Sequence, residues 1–393
     1  MSKWILESLG NLISYISKGI APKYVENFGE QTIWVLNQKC NRNGVISFKE
    51  ARLHDLSQKS VSSERMLREK DILINSTGTG TAGRVAQIET LQTPATVDGH
   101  MIILRANSRV DPLYLGYALK QQQKTIEELA EGSTGQTEIN RERLCNEILI
   151  YHPQSIEEQQ KISNVLYVLD KKISLNNRIN DNLEQQAQII YQHLFITTPH
   201  HIWKHGTIND LGIVIGGGTP SKSKSEYYTK KGIAWITPKD LSGNKTKFVF
   251  HGEHDITELG MKNSNARIMP KGTVLFSSRA PIGYIAIAAG EITTNQGFKS
   301  IIPKKDIGTA FIYYFLKNNV ALIENMASGS TFKEVSGSIM KKIPAFIPDF
   351  ELIKKFNKFC DPLFAQQQVL EKQNHDLSAL RDKLLSKLIS SNN

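Results

Sequence analysis

Two long segments of the chain carry apolar residues at helical spacing. The first runs from about residue 156 to 195 without Gly or Pro, and the second occupies residues 349–393. Apolar residues at steps of three, four or seven are typical of a helix that buries one stripe. We therefore predict two helices of about 40 residues, hence roughly 60 Å each at 1.5 Å per residue. The predicted seam consists of Ile162, Leu169, Ile173, Leu183, Ile190, Phe356, Leu363, Leu370, Leu377 and Leu384.

The second segment has the more regular pattern, with its seam residues seven positions apart throughout. Such a repeat predicts a coiled coil, with a companion seam at Phe359, Gln366, Gln373 and Leu380. Pro362 is expected to kink or break the first turns, because proline lacks the backbone N–H. The simplest arrangement packs the two helices on each other as an antiparallel coiled coil, a rod with a globular unit at each end. The alternative is that each helix packs on its own globular unit.

The rest of the chain has a mixed pattern. Short β-prone runs such as DILI (71–74), GTVLFSS (272–278) and GYIAIAAG (283–290) are punctuated by Gly, Pro and Asn. Two helix-prone stretches, 112–130 and 311–326, lie among them. Because strands and helices do not alternate regularly, we predict an α+β fold.

The chain also contains an internal repeat of about 200 residues. The matched segments start 202, 202 and 197 positions apart, and each copy is followed by one of the long helical segments. The matches are LGNLISYISKG (9–19) with LGIVIGGGTP (211–220), DILINSTGTGTAGRVA (71–86) with TVLFSSRAPIGYIA (273–286), and 132–153 with 329–348. We therefore predict a first globular domain (1–153), a central helix (154–198), a second globular domain (199–348) and a C-terminal helix (349–393).

The net charge of +10 is concentrated in one copy. Residues 1–200 carry 22 basic and 22 acidic side chains, whereas residues 201–393 carry 26 and 16. A basic domain attracts polyanions through counterion release. A basic surface without a binding function would have the same charge distribution. The three scattered cysteines form no C-x-x-C pair, and no apolar run reaches the roughly 18 residues of a membrane span. We expect reduced thiols, no secretory signal and a cytoplasmic protein.

Gly78, Gly80 and Gly83 follow the strand-like DILI run with the G-x-G-x-x-G spacing of a dinucleotide-binding turn. Such a turn must open a helix that holds the pyrophosphate. Here a β-prone segment with Pro94 follows, and only Gly283 remains in the second copy. The glycines are therefore predicted to form a turn between strands, with no cofactor.

Other catalytic motifs are also weak. DPLY (111–114) and DPLF (361–364) lack the second proline of the adenine-binding loop in amino-methyltransferases, and DPLY is expected to cap a helix. We find no metal-binding His/Cys spacing, nucleophile elbow or Walker A sequence. The chain is thus predicted to hold no metal and no catalytic residues.

Polar and basic residues in loops beside the predicted strands are candidates for reading base edges and binding phosphates. A solvated surface role is the competing interpretation for each of them. The candidates are Asn75, Thr77, Arg84, Asn140, Arg141, Lys222, Lys224, Lys239, Arg279, Asn295, Gln296, Lys299 and Lys333.

Taken together, the chain resembles the DNA specificity subunit of type I restriction–modification systems. The resemblance spans essentially all residues and is carried by GGTPS (217–221), AWITPKDL (234–241), GTVLFSSRAPIGYIAI (272–287), TTNQGFKSI (293–301), ASGSTFKEVS (327–336) and LSALRDKLLSKLIS (377–390). The first copy keeps only DILI, GRVA and GST of these patterns, so its DNA contacts are less well defined.

The resemblance implies two target recognition domains that each read half of a bipartite, asymmetric DNA site. The helices would set the spacer and dock two modification subunits, which carry S-adenosylmethionine and the methyltransferase chemistry. Restriction subunits would add ATP- and Mg-dependent translocation and cleavage, and this chain would be non-catalytic. Two alternatives stay open: a stand-alone adenine methyltransferase with a degenerate DPLY loop, and a coiled-coil adaptor that binds no DNA.

Overall fold

A computed structural model describes residues 3–132, 137–197, 203–243, 246–329 and 333–389. The chain divides into two compact units. Unit 1 comprises Met1–Lys172 with Leu377–Asn393, and unit 2 comprises Ile173–Asp376. Within the described ranges, no helix has the length and apolar character that crossing a membrane requires.

Unit 1 is rich in short strands. They are β1 (Trp4–Ser8), β2 (Ile13–Lys18), β3 (Tyr24–Val25), β4 (Thr32–Leu36), β5 (Asn41–Arg42), β6 (Val45–Ile46), β7 (Arg52–Asp55), β8 (Ile72–Asn75), β9 (Val85–Gln87), β10 (Ala95–Val97), β11 (Met101–Ala106), β12 (Ala130–Glu131), β13 (Glu138–Ile139) and β14 (Leu149–Pro153). Its shorter helices are α1 (Pro112–Gln121), α2 (Gln123–Glu128) and α3 (Arg141–Glu147), followed by the long helix α4 (Ile156–Gln192).

A four-stranded antiparallel sheet in the order β2-β11-β8-β9 forms the centre of unit 1, and a second sheet has the order β10-β4-β7-β3. Both faces of the central sheet are buried. Ile72 and Ile74 pack with α1 and α2, while Leu73 faces a separate core with Val97 and Met101. A strand covered on both faces needs apolar residues at every position, which explains why DILI does not alternate.

Unit 2 has the same organisation. Its strands are β15 (Lys204–Thr207), β16 (Gly212–Gly216), β17 (Tyr228–Thr229), β18 (Trp235–Ile236), β19 (Phe248–Val249), β20 (Asp255–Ile256), β21 (Val274–Ser278), β22 (Ile282–Ala288), β23 (Thr293–Thr294), β24 (Lys299–Pro303) and β25 (Pro344–Ile347). Its helices are α5 (Ile208–Leu211), α6 (Pro238–Ser242), α7 (Glu258–Lys262), α8 (Thr309–Asn318), α9 (Val320–Asn325), α10 (Gly337–Lys341) and the long helix α11 (Phe350–Ile389).

The two units confirm the repeat. The order β16-β24-β21-β22 in unit 2 corresponds to β2-β11-β8-β9 in unit 1, with β19 added in parallel beside β22. In each unit a pair of short helices packs on this sheet, α1 and α2 in one and α8 and α9 in the other. The mixed content of strands and helices is the predicted α+β fold.

The glycine-rich turn joins β8 to β9 in a hairpin, and no helix follows it. Gly78, Gly80 and Gly83 all have positive φ, a conformation that disfavours other residues. A Cβ on Gly83 would lie 2.6 Å from Cα of Glu127 in α2, too close for any side chain. In unit 2, Gly283 has φ 98° and a Cβ there would lie 2.6 Å from Val320 in α9. Both glycines therefore let a hairpin approach a helix.

The long helices pack antiparallel within each unit. In unit 2, Asn176 Nδ2 lies 2.9 Å from Asn374 Oδ1, and Gln367 Nε2 donates to the Asn180 carbonyl at 3.2 Å. Residue numbers therefore increase along α4 in the direction in which they decrease along α11, as expected for antiparallel helices. In unit 1, Arg381 pairs with Asp170, while Leu166 lies in one core with Ile389, which is the same antiparallel direction. All ten predicted seam residues are buried or half-buried.

The companion seam, however, is wrong. Phe359 and Leu380 are 40% and 46% exposed, and Gln366 and Gln373 are exposed as well. The less exposed positions instead lie one residue later and again seven apart: Ile353, Cys360 and Gln367 are buried, and Asn374 is half-buried. The predicted break at Pro362 is also wrong, since α11 continues through this exposed proline.

Candidate nucleic-acid interface

In unit 2, two predicted DNA-contacting cations meet at one carboxylate. Arg279 Nη1 lies 3.4 Å from Glu334 Oε2, and Lys299 Nζ lies 3.2 Å from Glu334 Oε1. Lys299 also donates to Ser278 Oγ and to the Gln296 carbonyl, both at 3.3 Å. We call Ser278, Arg279, Lys299 and Glu334 the Glu334 cluster.

Backbone hydrogen bonds fix the elements that carry this cluster. The N–H of Val335 donates to the Ser278 carbonyl at 3.0 Å, and the Ser278 N–H donates to the Gly297 carbonyl at 2.7 Å. Asn295 Oδ1 accepts from the Gly297 N–H at 2.8 Å, which shapes the loop that precedes Lys299. The end of β21, the start of β24 and the Glu334 segment therefore converge at one end of the sheet.

The remaining candidates of unit 2 lie on loops, apart from Lys239, which lies on α6. Lys222, Lys224, Lys333 and Gln296 are exposed, and Asn295 is half-buried. Lys239 is 78% exposed on its side chain and lies 2.7 Å from Glu253, whose hydrogen bond raises the pKa of the lysine. The helix that carries Lys239 starts beside the Asn295 loop, because the Asn295 N–H donates to the Ile236 carbonyl at 2.9 Å.

Unit 1 builds a related group at the corresponding end of its central sheet. Glu138 forms an ion pair with Lys18, the last residue of β2, and bridges in antiparallel fashion with Thr77. Thr77 Oγ1 is 2.8 Å from His100 Nδ1. Burial and the charge of nearby Arg141 lower the pKa of Lys18. We call Lys18, Thr77, His100, Glu138 and Arg141 the Glu138 cluster.

Three candidates of unit 1 are placed differently from expectation. Asn75 is fully buried and donates to the Gln38 carbonyl at 3.2 Å, so its placement does not support a DNA contact. Arg84 donates to the Gly80 carbonyl at 3.0 Å and lines a cavity of about 320 Å³ that Asp170 and Arg381 also line. Asn140 caps α3, because its side-chain oxygen accepts from the first backbone N–H groups of that helix.

Sequence reasoning missed Lys18, Glu138 and Glu334. The signal for the two glutamates was present, since each follows a Gly-Ser-Thr segment and precedes Ile139 or Val335 at matched positions of the repeat. Lys18 carried no such signal, because its role depends on which strand neighbours β2.

A second polar group holds the globular part of unit 2 on the helices. Lys247, 5% exposed on its side chain, pairs with Glu184 of α4 and donates to Gln367 Oε1 of α11 at 2.7 Å. Glu184 also accepts from Tyr314 OH at 3.0 Å and pairs with Lys317 at 2.5 Å. Burial acts to raise the pKa of Glu184, but Lys247 and Lys317 hold it below its usual value. We call these five residues the Glu184 cluster.

Unit 1 has a counterpart to that group. Tyr117 OH donates to Asp170 of α4 at 2.8 Å, and Arg381 of α11 pairs with the same carboxylate at 2.8 Å. Tyr117 and Tyr314 occupy matched positions of the repeat, on α1 and α8. Each globular part is thus tied by a tyrosine to a carboxylate on α4.

The weak catalytic motifs have structural roles. Asp111 of DPLY caps α1, since its side chain accepts from the Tyr114 N–H at 2.9 Å, and DPLF lies inside α11. Among the residues that the structure describes, no three His, Cys, Asp or Glu side chains are grouped as metal ligands.

Residues 1–185 and 201–377 each match the type I restriction modification DNA specificity domain. The chain belongs to this family. It is 40% identical over 179 residues to the type I restriction enzyme MjaIX specificity subunit of Methanocaldococcus jannaschii, a match that covers 43% of this chain and 41% of that protein. It is 21% identical over 468 residues to the HindI specificity subunit of Haemophilus influenzae, covering 99% of both chains.

The fold resembles that of a solved structure. The crystal structure of a type I restriction-modification S subunit from M. genitalium is similar with a TM-score of 0.62 at 19% identity, covering 100% of this chain and 97% of that one. The two matched segments correspond to the two copies of the repeat. Each copy, with its clustered cations, is therefore one specificity domain.

Proposed function

We propose that this chain is the DNA sequence-recognition subunit of a type I restriction–modification complex. Each specificity domain reads one half of a bipartite, asymmetric DNA site. The observation that carries the proposal is the recurrence, in both domains, of a cation-bearing polar cluster at the same end of the central sheet. Arg, Lys and Asn side chains on loops beside strands are the groups that bind phosphates and read base edges.

Differences between the two clusters support asymmetric recognition. Unit 1 presents Lys18, Thr77 and Arg141, whereas unit 2 presents Arg279, Lys299 and the neighbouring Gln296. Since hydrogen-bond donors and acceptors are arranged differently, the two domains would select different base sequences.

The long helices set the spacer between the two halves and dock two modification subunits, which supply S-adenosylmethionine and the methyltransferase activity. Restriction subunits supply ATP- and Mg-dependent translocation and cleavage, and the assembly acts on double-stranded DNA in the cytoplasm. This chain is non-catalytic in the proposal. The capping role of Asp111 supports that assignment, because the DPLY segment is used to start a helix.

The test is to produce the chain with its modification subunit and to sequence methylated adenines in the host DNA. A bipartite, asymmetric motif that disappears when the chain is omitted is expected. Arg279→Ala with Lys299→Ala should relax one half of that motif and leave the other half intact. Methylation by the purified chain alone would instead indicate an enzyme, and an unchanged motif without the chain would indicate an adaptor.

A further inference from the structure

Each unit places one glutamate among its candidate DNA-binding cations, at the same structural position. The Ile139 N–H donates to the Ser76 carbonyl at 2.8 Å, and the Val335 N–H donates to the Ser278 carbonyl at 3.0 Å. The Ser76 N–H in turn donates to the His100 carbonyl, and the Ser278 N–H donates to the Gly297 carbonyl. Glu138 and Glu334, one residue before Ile139 and Val335, are therefore equivalent.

The lysine that pairs with the glutamate lies on different strands in the two units. Lys18 on β2 is in register with Ile102 on β11, and Gly216 on β16 is in register with Lys299 on β24. The strand pair β2–β11 corresponds to β16–β24. The lysine therefore lies on the first strand of the pair in unit 1 and on the second strand in unit 2. The Glu–Lys pair is nevertheless present in both units. The pairing recurs although the residues that supply it differ.

Folding stability gives little reason for this recurrence. Side-chain exposure is 32% and 50% for Lys18 and Glu138, and 14% and 37% for Lys299 and Glu334. Because both carboxylates are partly exposed to solvent, which screens the pairs, we expect each ion pair to contribute little to stability. A carboxylate on a surface that binds phosphates also opposes non-specific binding, because it repels the DNA backbone and occupies the cations.

We propose that Glu138 and Glu334 are specificity-determining residues of the two DNA interfaces. Each glutamate orients its cations for the cognate half of the site and keeps them from phosphates of unrelated DNA. The inference rests on the proposed function and adds that both acidic residues lower non-specific affinity. Cognate DNA compensates for the lost ion pair through base contacts, whereas unrelated DNA offers no such compensation.

The experiment uses the complex of the full chain with its modification subunits. Two duplexes of equal length are used, one that contains the bipartite motif found by methylation sequencing and one of unrelated sequence. The binding affinity for each duplex is measured over a salt series for the wild type, Glu334→Gln and Glu138→Gln. One extra phosphate contact steepens the log–log salt slope by about 0.9, which gives about fivefold tighter non-specific binding near 0.15 M salt. We expect this change with each variant, and a specificity ratio reduced by at least as much.

Glu291→Gln is the matched control, since Glu291 is exposed in unit 2 and the change removes the same charge. Glu334→Asp keeps the charge and should keep non-specific binding near the wild-type level. Equal non-specific affinities for Glu334→Gln, Glu138→Gln and Glu291→Gln would overturn the inference. If the wild-type complex preferred no bipartite sequence, the proposed function itself would fail, which is a separate outcome.

Discussion

Replacing Lys247 by Met removes a buried cation from the Glu184 cluster and leaves its carboxylate partly unpaired. The Lys247 side chain is 5% exposed, and its ammonium lies 4.0 Å from the ring centroid of Phe364. The methionine side chain can follow the same path along this ring, so the change removes the charge and little packing.

The size of the effect follows from what Glu184 retains. Breaking a buried ion pair by removing one partner costs roughly 3–5 kcal/mol. Glu184 is 22% exposed and keeps both Lys317 and the Tyr314 hydroxyl. We therefore expect Lys247→Met to reduce the free energy of unfolding by an amount at the lower end of this range, about 3 kcal/mol. Lys317→Met is the matched control, and because Lys317 is 40% exposed it should cost about 1 kcal/mol or less.

Hydrogen exchange on the full chain measures this difference. Since all partners of Lys247 lie in unit 2, amides of unit 1 serve as the internal reference. A loss of about 3 kcal/mol reduces protection in unit 2 by about two orders of magnitude, at about 1.36 kcal/mol per decade. Adding Glu184→Met to Lys247→Met should restore part of this protection, because the carboxylate that lost its buried cation is then removed as well. Equal losses for Lys247→Met and Lys317→Met would refute the reasoning.

Further predictions concern pH, packing and the spacer. The pKa of Glu184 is held below its usual value, so the stability from its ionised form is fully present above the pKa of the unfolded chain and is lost as the pH falls through the lower folded pKa. Glu184→Gln should flatten this acid dependence of protection in unit 2. Leu370→Ala should cost about 2–5 kcal/mol in thermal or denaturant unfolding, against about 1 kcal/mol or less for Leu380→Ala, and equal costs would contradict the observed seam. Gly83→Ala should cost about 1–3 kcal/mol or more, because it combines positive φ with a contact to Glu127, and wild-type stability would contradict this account of the turn. Removing one heptad from the helical segment 156–195 should change the spacer of the methylated motif and leave both halves unchanged; an unaltered spacer would argue against helices that set it.

The two glutamates also change how the basic charge of the chain is interpreted. The net excess lies in the second half of the sequence, yet two of its candidate DNA-binding cations face Glu334. Net charge therefore overstates the number of cations that are free to bind phosphates. What matters for recognition is which cations are paired, and tertiary structure controls that pairing.

The sequence by itself determined the repeat, the α+β content and the two long helices. These features depend on local periodicity and on self-similarity along the chain, which need no knowledge of neighbours. It also excluded the dinucleotide turn, because the residues after Gly83 are β-prone and the second copy lacks the other glycines.

Only the tertiary structure decided which face of α11 is buried and which cations share a carboxylate. Phe359 and Leu380 favoured the wrong companion seam because hydrophobicity was the only criterion available. Gln367 lies on the true seam because it finds Lys247 and the Asn180 carbonyl as partners. Likewise, Lys18 and Glu138 are far apart in sequence and meet only through strand order. The burial of a polar group depends on partners from other elements, and local sequence does not specify those partners.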